Sequence, residues 1–311
     1  TLKIYLADLT HTGQGVATDG FPLNIGLVAS FAKKRFGKDI DITLFKYPED
    51  LKEALKATPP NILGCSNYTW NCNLSYYFTK LAKSFSPEIL TVWGGTNYPF
   101  SASHQEQFLR KRPELDLHIF YEGEQAFSAV IERVLSSASS PAKILNESID
   151  GCQYISPIDQ TFVSGSDLPR LKKLDSIPSP YVTGLFDKFF DGKLLPIVET
   201  ARGCPFLCNF CNAGDVYFNK VNMFSDDYVK EELTYIAPKI TKAGVGHVTF
   251  ADNNFGMIPR DFNTTKILSE LQTKYSWPKT ITVWTGKNSK KRVINATRLL
   301  GASLNISMSV Q

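Results

Sequence analysis

Residues 1–140 alternate short apolar runs with amphipathic stretches. The runs at 2–7, 40–45, 62–66, 89–93 and 117–121 are mostly β-branched or aromatic and predict strands. Helical patterns lie between them. Pro22 suits a first helical turn, and Leu23, Leu27 and Phe31 follow at i, i+4, i+8. After Glu124, the residues Phe127, Val130, Ile131, Val134 and Leu135 form one apolar stripe. Strand and helix in alternation predict a parallel sheet with helices on both faces. Ligands of such sheets sit beyond the carboxyl ends of the strands, which here are residues 8–20, 66–68, 94–97 and 122–124.

The stretch 136–141 (SSASSP) reads as a linker, and 145–163 suits a small hairpin or two. Pro169, Pro178 and Pro180 make 168–180 an extended connector, because proline and its predecessor resist helix. From Pro196 a second alternation begins, with strands at 197–200, 247–251, 280–284 and 303–308 and helices at 226–236, 260–274 and 289–300. This is about half of a (β/α) barrel. A half-barrel leaves a sheet edge unpaired and a face uncovered, so the sequence is expected to be part of a longer protein. A reading frame that stops directly after Gln311 would contradict that. The predicted organisation is α/β, with a parallel-sheet domain at 1–140, a hairpin and Pro-rich connector at 141–195, and the first half of a barrel at 196–311. Neither solenoid repeats nor low-complexity tracts interrupt it.

Length and composition agree with two globular units: 311 residues, 43% apolar and 21% charged. A net charge of +4 is too mild to indicate nucleic acid or an anionic membrane. No apolar run approaches the ~20 residues of a membrane span; residues 23–32 come nearest, and no signal peptide precedes them. Six Cys in a chain of this length do not form a secreted disulfide scaffold. A soluble, cytoplasmic protein with a few thiols to explain is the expectation.

Three of those thiols stand at x3 then x2 spacing, in Cys204-Pro205-Phe206-Leu207-Cys208-Asn209-Phe210-Cys211, directly after the strand predicted at 197–200. Structural zinc takes four ligands, usually as two separated pairs. Cys65, Cys72 and Cys152 belong to the first part, and the nearest downstream His, His247, lies in a strand. A thioredoxin-like pair would use Cys208 and Cys211 and leave Cys204 without a role. Three thiolates on one short loop suit an iron–sulfur cluster with one iron left open to a chelating small molecule. The loop after the first strand does not complete a dinucleotide fingerprint: Gly13 and Gly15 begin one, but its third glycine falls on Thr18.

Cys-x3-Cys-x2-Cys with the aromatic Phe210 before its last Cys, flanked by Ala201-Arg202-Gly203, resembles the signature of the radical S-adenosylmethionine superfamily. The resemblance implies a 4Fe-4S cluster on Cys204, Cys208 and Cys211. Its open iron chelates S-adenosylmethionine, and reductive cleavage yields a 5′-deoxyadenosyl radical. The loop would follow strand one of a partial (β/α)6 barrel. By the same resemblance Phe210, Ala251, Asp252, Asn253, Thr285, Ser307, Ser309 and Gln311 fall where S-adenosylmethionine is contacted. The segment Phe250-Ala251-Asp252-Asn253-Asn254-Phe255 lacks the usual Gly-Gly-Glu, and Thr285-Gly286-Lys287 ends the third barrel strand.

A flavodoxin-like or Rossmann-like sheet ahead of such a barrel resembles the cobalamin (B12)-binding class of that superfamily, and Ile177-Pro178-Ser179-Pro180 is similar to its connector. Implied cobalamin contacts are Thr10, His11 and Gly13; Ser66, Asn67 and Tyr68; Gly94, Gly95 and Thr96; and Glu122, Gly123 and Glu124. Glycines there let backbone approach a flat corrin. Asp8-x-x-His11-x-Gly13 is out of register with the cobalt-ligating Asp-x-His-x-x-Gly, so the motif does not make His11 a cobalt ligand. The implied function is methyl transfer to an unactivated carbon. Cyclisation or rearrangement by the same class is one alternative, and a non-enzymatic iron–sulfur or corrinoid sensor another. Implied partners are a small-molecule or peptide substrate and a low-potential donor such as flavodoxin or ferredoxin; neither nucleic acid nor membrane is expected. Anaerobic reconstitution separates these readings.

Overall fold

The computed structural model describes residues 1–137, 144–286 and 290–308, and the chain divides into two compact units. The first comprises Thr1–Thr18 and Asn24–Pro169, the second Asp19–Leu23 and Arg170–Gln311. Most of the linker expected at 136–141 lies outside the described residues.

In the first unit, strands β1 (Leu2–Ala7), β2 (Ile40–Phe45), β3 (Ile62–Ser66), β4 (Leu90–Gly94) and β5 (Leu117–Ile119) pair in parallel in the order β2-β1-β3-β4-β5. The predicted hairpin, β6 (Cys152–Ile155) and β7 (Phe162–Ser164), extends this sheet antiparallel beyond β5. Helices α1 (Leu23–Phe36), α2 (Pro48–Ala57), α3 (Cys72–Phe85), α4 (Ala102–Arg110) and α5 (Gly123–Ser136) connect the parallel strands and follow the last of them. Ile4, Tyr5, Leu6 and Ala7 are all buried, as a strand covered on both faces requires. On one face Tyr5, Leu63 and Trp93 pack with Leu51 and Leu55 of α2, Phe78 of α3 and Leu109 of α4. On the other, Gly64 admits Leu6, whose Cδ2 a Cβ would meet at 2.5 Å, while Gly123 of α5 lies against Val28 of α1. Strand order reverses between β1 and β3, the switch point where doubly wound sheets open a crevice. β5 stops short of the predicted residue 121 because Tyr121 adopts φ 63 and turns the chain away.

In the second unit, β8 (Ile197–Val198), β11 (His247–Phe250), β12 (Thr280–Thr285) and β13 (Leu304–Met308) form a parallel sheet in that order. Helices α6 (Asp226–Lys242), α7 (Asp261–Tyr275) and α8 (Lys290–Leu300) alternate with them. A short antiparallel pair, β9 (Ala201–Arg202) with β10 (Asn222–Met223), closes the base of the cysteine loop. Ser225 caps α6 by accepting from Tyr228 N, and Asp226 and Asp227 complement the helix dipole. The helix continues past the predicted residue 236 even though Pro238 lacks the N–H that a helix interior uses. Burial of Val229, Leu233, Ile236, Ala237 and Ile240 along one stripe offsets a penalty of about 3 kcal/mol. Phe21, in the loop after β1, belongs to this unit, where it packs with Tyr181, Phe186 and Phe190. Its backbone N–H donates to Leu195 O at 3.0 Å. Among the described residues no helix is long and apolar enough to cross a membrane.

Candidate functional site

At the switch point of the first sheet a polar network ties the strand ends together. The Asp8 carboxylate, after β1, pairs with Lys46 Nζ at 3.0 Å and accepts from Ser66 Oγ at 2.5 Å and Asn71 Nδ2 at 3.2 Å. Asn71 Nδ2 also donates to Ser66 Oγ at 2.9 Å, and its Oδ1 accepts from Tyr68 N at 2.8 Å. Next to it, Asn67 donates to Asn97 O at 2.6 Å while Asn97 N returns a bond to Asn67 O at 3.1 Å, clasping the loops after β3 and β4. Gly95 allows this clasp: it has φ 133, and a Cβ there would meet Asn67 O at 2.6 Å.

The residues predicted to touch cobalamin therefore divide into two groups. Thr10, Ser66, Asn67 and Glu124 are buried; Thr10 accepts from Thr18 N, and Ser66 and Asn67 belong to the braces just described. Their place in the structure is to shape the loops. His11, Gly13 and Thr96 are exposed, with Tyr68, Gly94, Gly95, Glu122 and Gly123 partly so. His11 Nε2 lies 3.2 Å from Trp70 O, and a Cβ on Gly13 would find only open space. The residue the sequence did not single out is Trp70. It is half-exposed and stacked face to face on Tyr68, centroids 4.6 Å apart and planes 7° from parallel.

In the second unit the cysteine loop leaves β8 under tight control. Asp252, at the end of β11, is fully buried. Its Oδ1 accepts from Thr200 N at 2.7 Å and Ala201 N at 3.1 Å, and its Oδ2 from Thr200 Oγ1. Thr200 is thereby drawn out of the ladder, so β8 ends at Val198 rather than at residue 200. Burial pushes the Asp252 carboxyl up to about 7, against the pull of the donors around it. Asp252 thus positions the cysteine loop instead of facing open space. Gly203 follows with φ 106, where a Cβ would strike Lys220 O and Phe218 O, and Cys204 N donates to Phe218 O at 2.9 Å. The connector reinforces this base, since Arg170 donates to Lys220 O and Asn222 Nδ2 to Leu171 O.

Cys204, Cys208 and Cys211 are partly or fully exposed, and Cys211 N donates to Cys208 O at 3.1 Å. Among the described residues no three His, Cys, Asp or Glu side chains are grouped closely enough to hold a metal ion. The donor chemistry nevertheless fits a thiolate-ligated centre: three cysteines on one loop, with Asn254 Nδ2 donating to Cys204 Sγ at 3.1 Å. Phe210, Ala251, Asn253 and Ser307 are exposed, and Thr285, the last residue of β12, is buried. Ser309 and Gln311, together with Lys287, lie outside the described residues.

Residues 12–131 match the B12 binding domain. The chain is 26% identical to the 2-(S-pantetheinyl)-carbapenam-3-carboxylate methyltransferase of Streptantibioticus cattleyicolor, over 98% of this chain and 44% of that protein. It is 27% identical to the cobalamin-dependent radical SAM methyltransferase TokK of Streptomyces tokunonensis, over 92% of this chain and 42% of that one. The fold is shared with OxsB, a cobalamin-dependent S-adenosylmethionine radical enzyme solved with aqua-cobalamin and S-adenosylmethionine bound. The TM-score is 0.72 at 17% identity, over 100% of this chain and 44% of that one. Residues 12–131 are a B12-binding domain, and the chain as a whole resembles cobalamin-dependent radical S-adenosylmethionine methyltransferases. The chain spans less than half the length of each of these three proteins.

Proposed function

We propose that this chain carries the cobalamin-binding and cluster-binding parts of a cobalamin-dependent radical S-adenosylmethionine methyltransferase acting on an unactivated carbon. The observation that carries the reading is the trio of cysteines beyond the first strand of the second parallel sheet, on a loop anchored at its base by Asp252. When bound, cobalamin supplies a transferable methyl group, and an iron–sulfur cluster supplies the electron that cleaves the S-adenosylmethionine sulfonium. The remaining tasks fall to the chain's own residues. Cys204, Cys208 and Cys211 would hold the cluster, with Asp252 and Gly203 fixing how their loop leaves β8. In the first unit, the Asp8–Lys46–Ser66–Asn71 network fixes the strand-end loops, and the Trp70–Tyr68 stack offers a flat apolar surface to a macrocycle. A low-potential donor such as flavodoxin or ferredoxin would deliver the electron, and an oxygen-sensitive cluster suits the cytoplasm.

Anaerobic reconstitution with iron, sulfide and hydroxocobalamin tests this reading. The expected product is a coloured protein that retains corrinoid and releases 5′-deoxyadenosine from S-adenosylmethionine under reduction. A cluster without cleavage would support a sensor instead, and colourless zinc-loaded protein would remove the radical chemistry altogether.

A further inference from the structure

The peptide after β11 is fixed at both ends. Asp252 binds the backbone of Thr200 and Ala201. On the other side Phe255 is buried and its N–H donates to Trp284 O at 2.8 Å. The Asp261 carboxylate then accepts from Gly256 N at 2.7 Å and Ile258 N at 3.1 Å. Asn254 sits between these anchors, its backbone position set before its side chain makes any contact. That side chain reaches Cys204, where Nδ2 donates to Sγ at 3.1 Å. Gly286, just past β12, leaves the room: a Cβ there would meet Asn254 Oδ1 at 3.0 Å and its Cβ at 3.2 Å. Segments that follow three strands of the second sheet, β8, β11 and β12, thus converge on Asn254, through Cys204 on one side and Gly286 on the other.

An amide that donates to a ligating thiolate draws charge from the sulfur and favours the more negative, reduced state of the metal centre it holds. We propose that Asn254 is a positioning residue that sets the reduction potential of the cluster through Cys204. This rests on the cysteine loop being an iron–sulfur site. It assigns to the segment after β11 a task separate from touching S-adenosylmethionine. The Asp252 end of the segment holds the loop, and the Asn254 end tunes one of its ligands.

The test compares the wild-type chain with Asn254→Leu and Gly286→Ala, each reconstituted anaerobically with iron and sulfide. Iron content is measured first, and then the potential by EPR-monitored redox titration without substrate. Asn254→Leu keeps the heavy-atom count and the branching at Cγ and removes the donor. It is expected to load iron like the wild type and to show a reduced-to-oxidised ratio about tenfold lower at fixed potential, a shift of about 59 mV downward for a one-electron couple. Gly286→Ala leaves Asn254 in place chemically but crowds it, so a smaller shift of the same sign is expected. If all three proteins load and titrate at one potential, the role of Asn254 is refuted while the iron–sulfur reading stands. If the wild-type chain takes up no cluster, both fall together. Should Asn254→Leu fail to load, Gly286→Ala decides, and an unchanged potential there overturns the proposal.

Discussion

Glu232 makes the stability of the second unit depend on pH in an unusual direction. It lies on α6 at 2% exposure and accepts from Ser179 Oγ at 2.6 Å. Burial, opposed by that hydrogen bond and reinforced by the nearby Glu199 charge, pushes its carboxyl from 4.5 up to about 8. Between those values the folded chain holds a proton that the unfolded chain has released. The stabilisation is complete below the unfolded value and is lost as pH rises through the folded one, at about 1.4 kcal/mol per pH unit. From about pH 5 to pH 7 that amounts to roughly 3 kcal/mol. Asp252 is pushed up as well, to about 7, and adds a loss of the same sign. Glu232→Gln keeps an oxygen for Ser179 and removes the proton, so it should cut the slope by about half and leave the part due to Asp252. Hydrogen exchange at α6 amides of the metal-free protein, across this pH range, assigns the effect to the right unit. If Glu232→Gln shows the wild-type slope, or if wild-type protection rises with pH, the reasoning is refuted.

The first unit should respond oppositely. Burial on β5 lowers His118 from 6.5 to about 3, so stability there is expected to fall as pH drops below the unfolded value, read as loss of β5 amide protection. Asp252→Ala removes the acceptor of two backbone donors; a cost of about 1–3 kcal/mol is expected, with faster exchange at Thr200 and Ala201 and reduced iron uptake. Gly203→Ala places a Cβ 2.3 Å from Lys220 O at a left-handed φ. It should displace the cysteine loop and lower iron content on reconstitution, with circular dichroism unchanged. Lys46→Met strands the Asp8 carboxylate among hydroxyl and amide partners. Breaking this pair should cost about 3–5 kcal/mol of first-unit stability in urea unfolding and weaken corrinoid retention.

Much of the fold could be read from periodicity because both sheets are parallel and covered. Such strands are short unbroken apolar runs, and β1, β2 and β3 coincide with the predicted 2–7, 40–45 and 62–66. Departures occur where one residue outweighs the pattern. Tyr121 turns the chain by adopting a left-handed φ that its type seldom takes, and buried apolar contacts carry α6 through Pro238. Thr200 is β-branched and reads as strand, yet its hydrogen-bonding groups are claimed by Asp252, 52 positions away. Local propensity contains no trace of so distant a partner.

The same separation divides what the sequence shows of the site from what it hides. The cysteine trio is visible because its donors are neighbours in the chain and their spacing carries the chemistry. Asn254 is invisible, being one of several polar residues in a loop where Asn is commonplace. Its meaning comes from the anchors on either side and from the missing side chain at Gly286, which together bring an amide to Cys204. Asp252 is the complementary case: a carboxylate at a strand end suggests a ligand contact, while burial and three donors give it a part in holding the loop that no local pattern shows. Candidate ligands are thus written locally in this protein, whereas the groups that position their loop are specified by the fold, and perturbing those groups tests the fold's contribution apart from the cofactors.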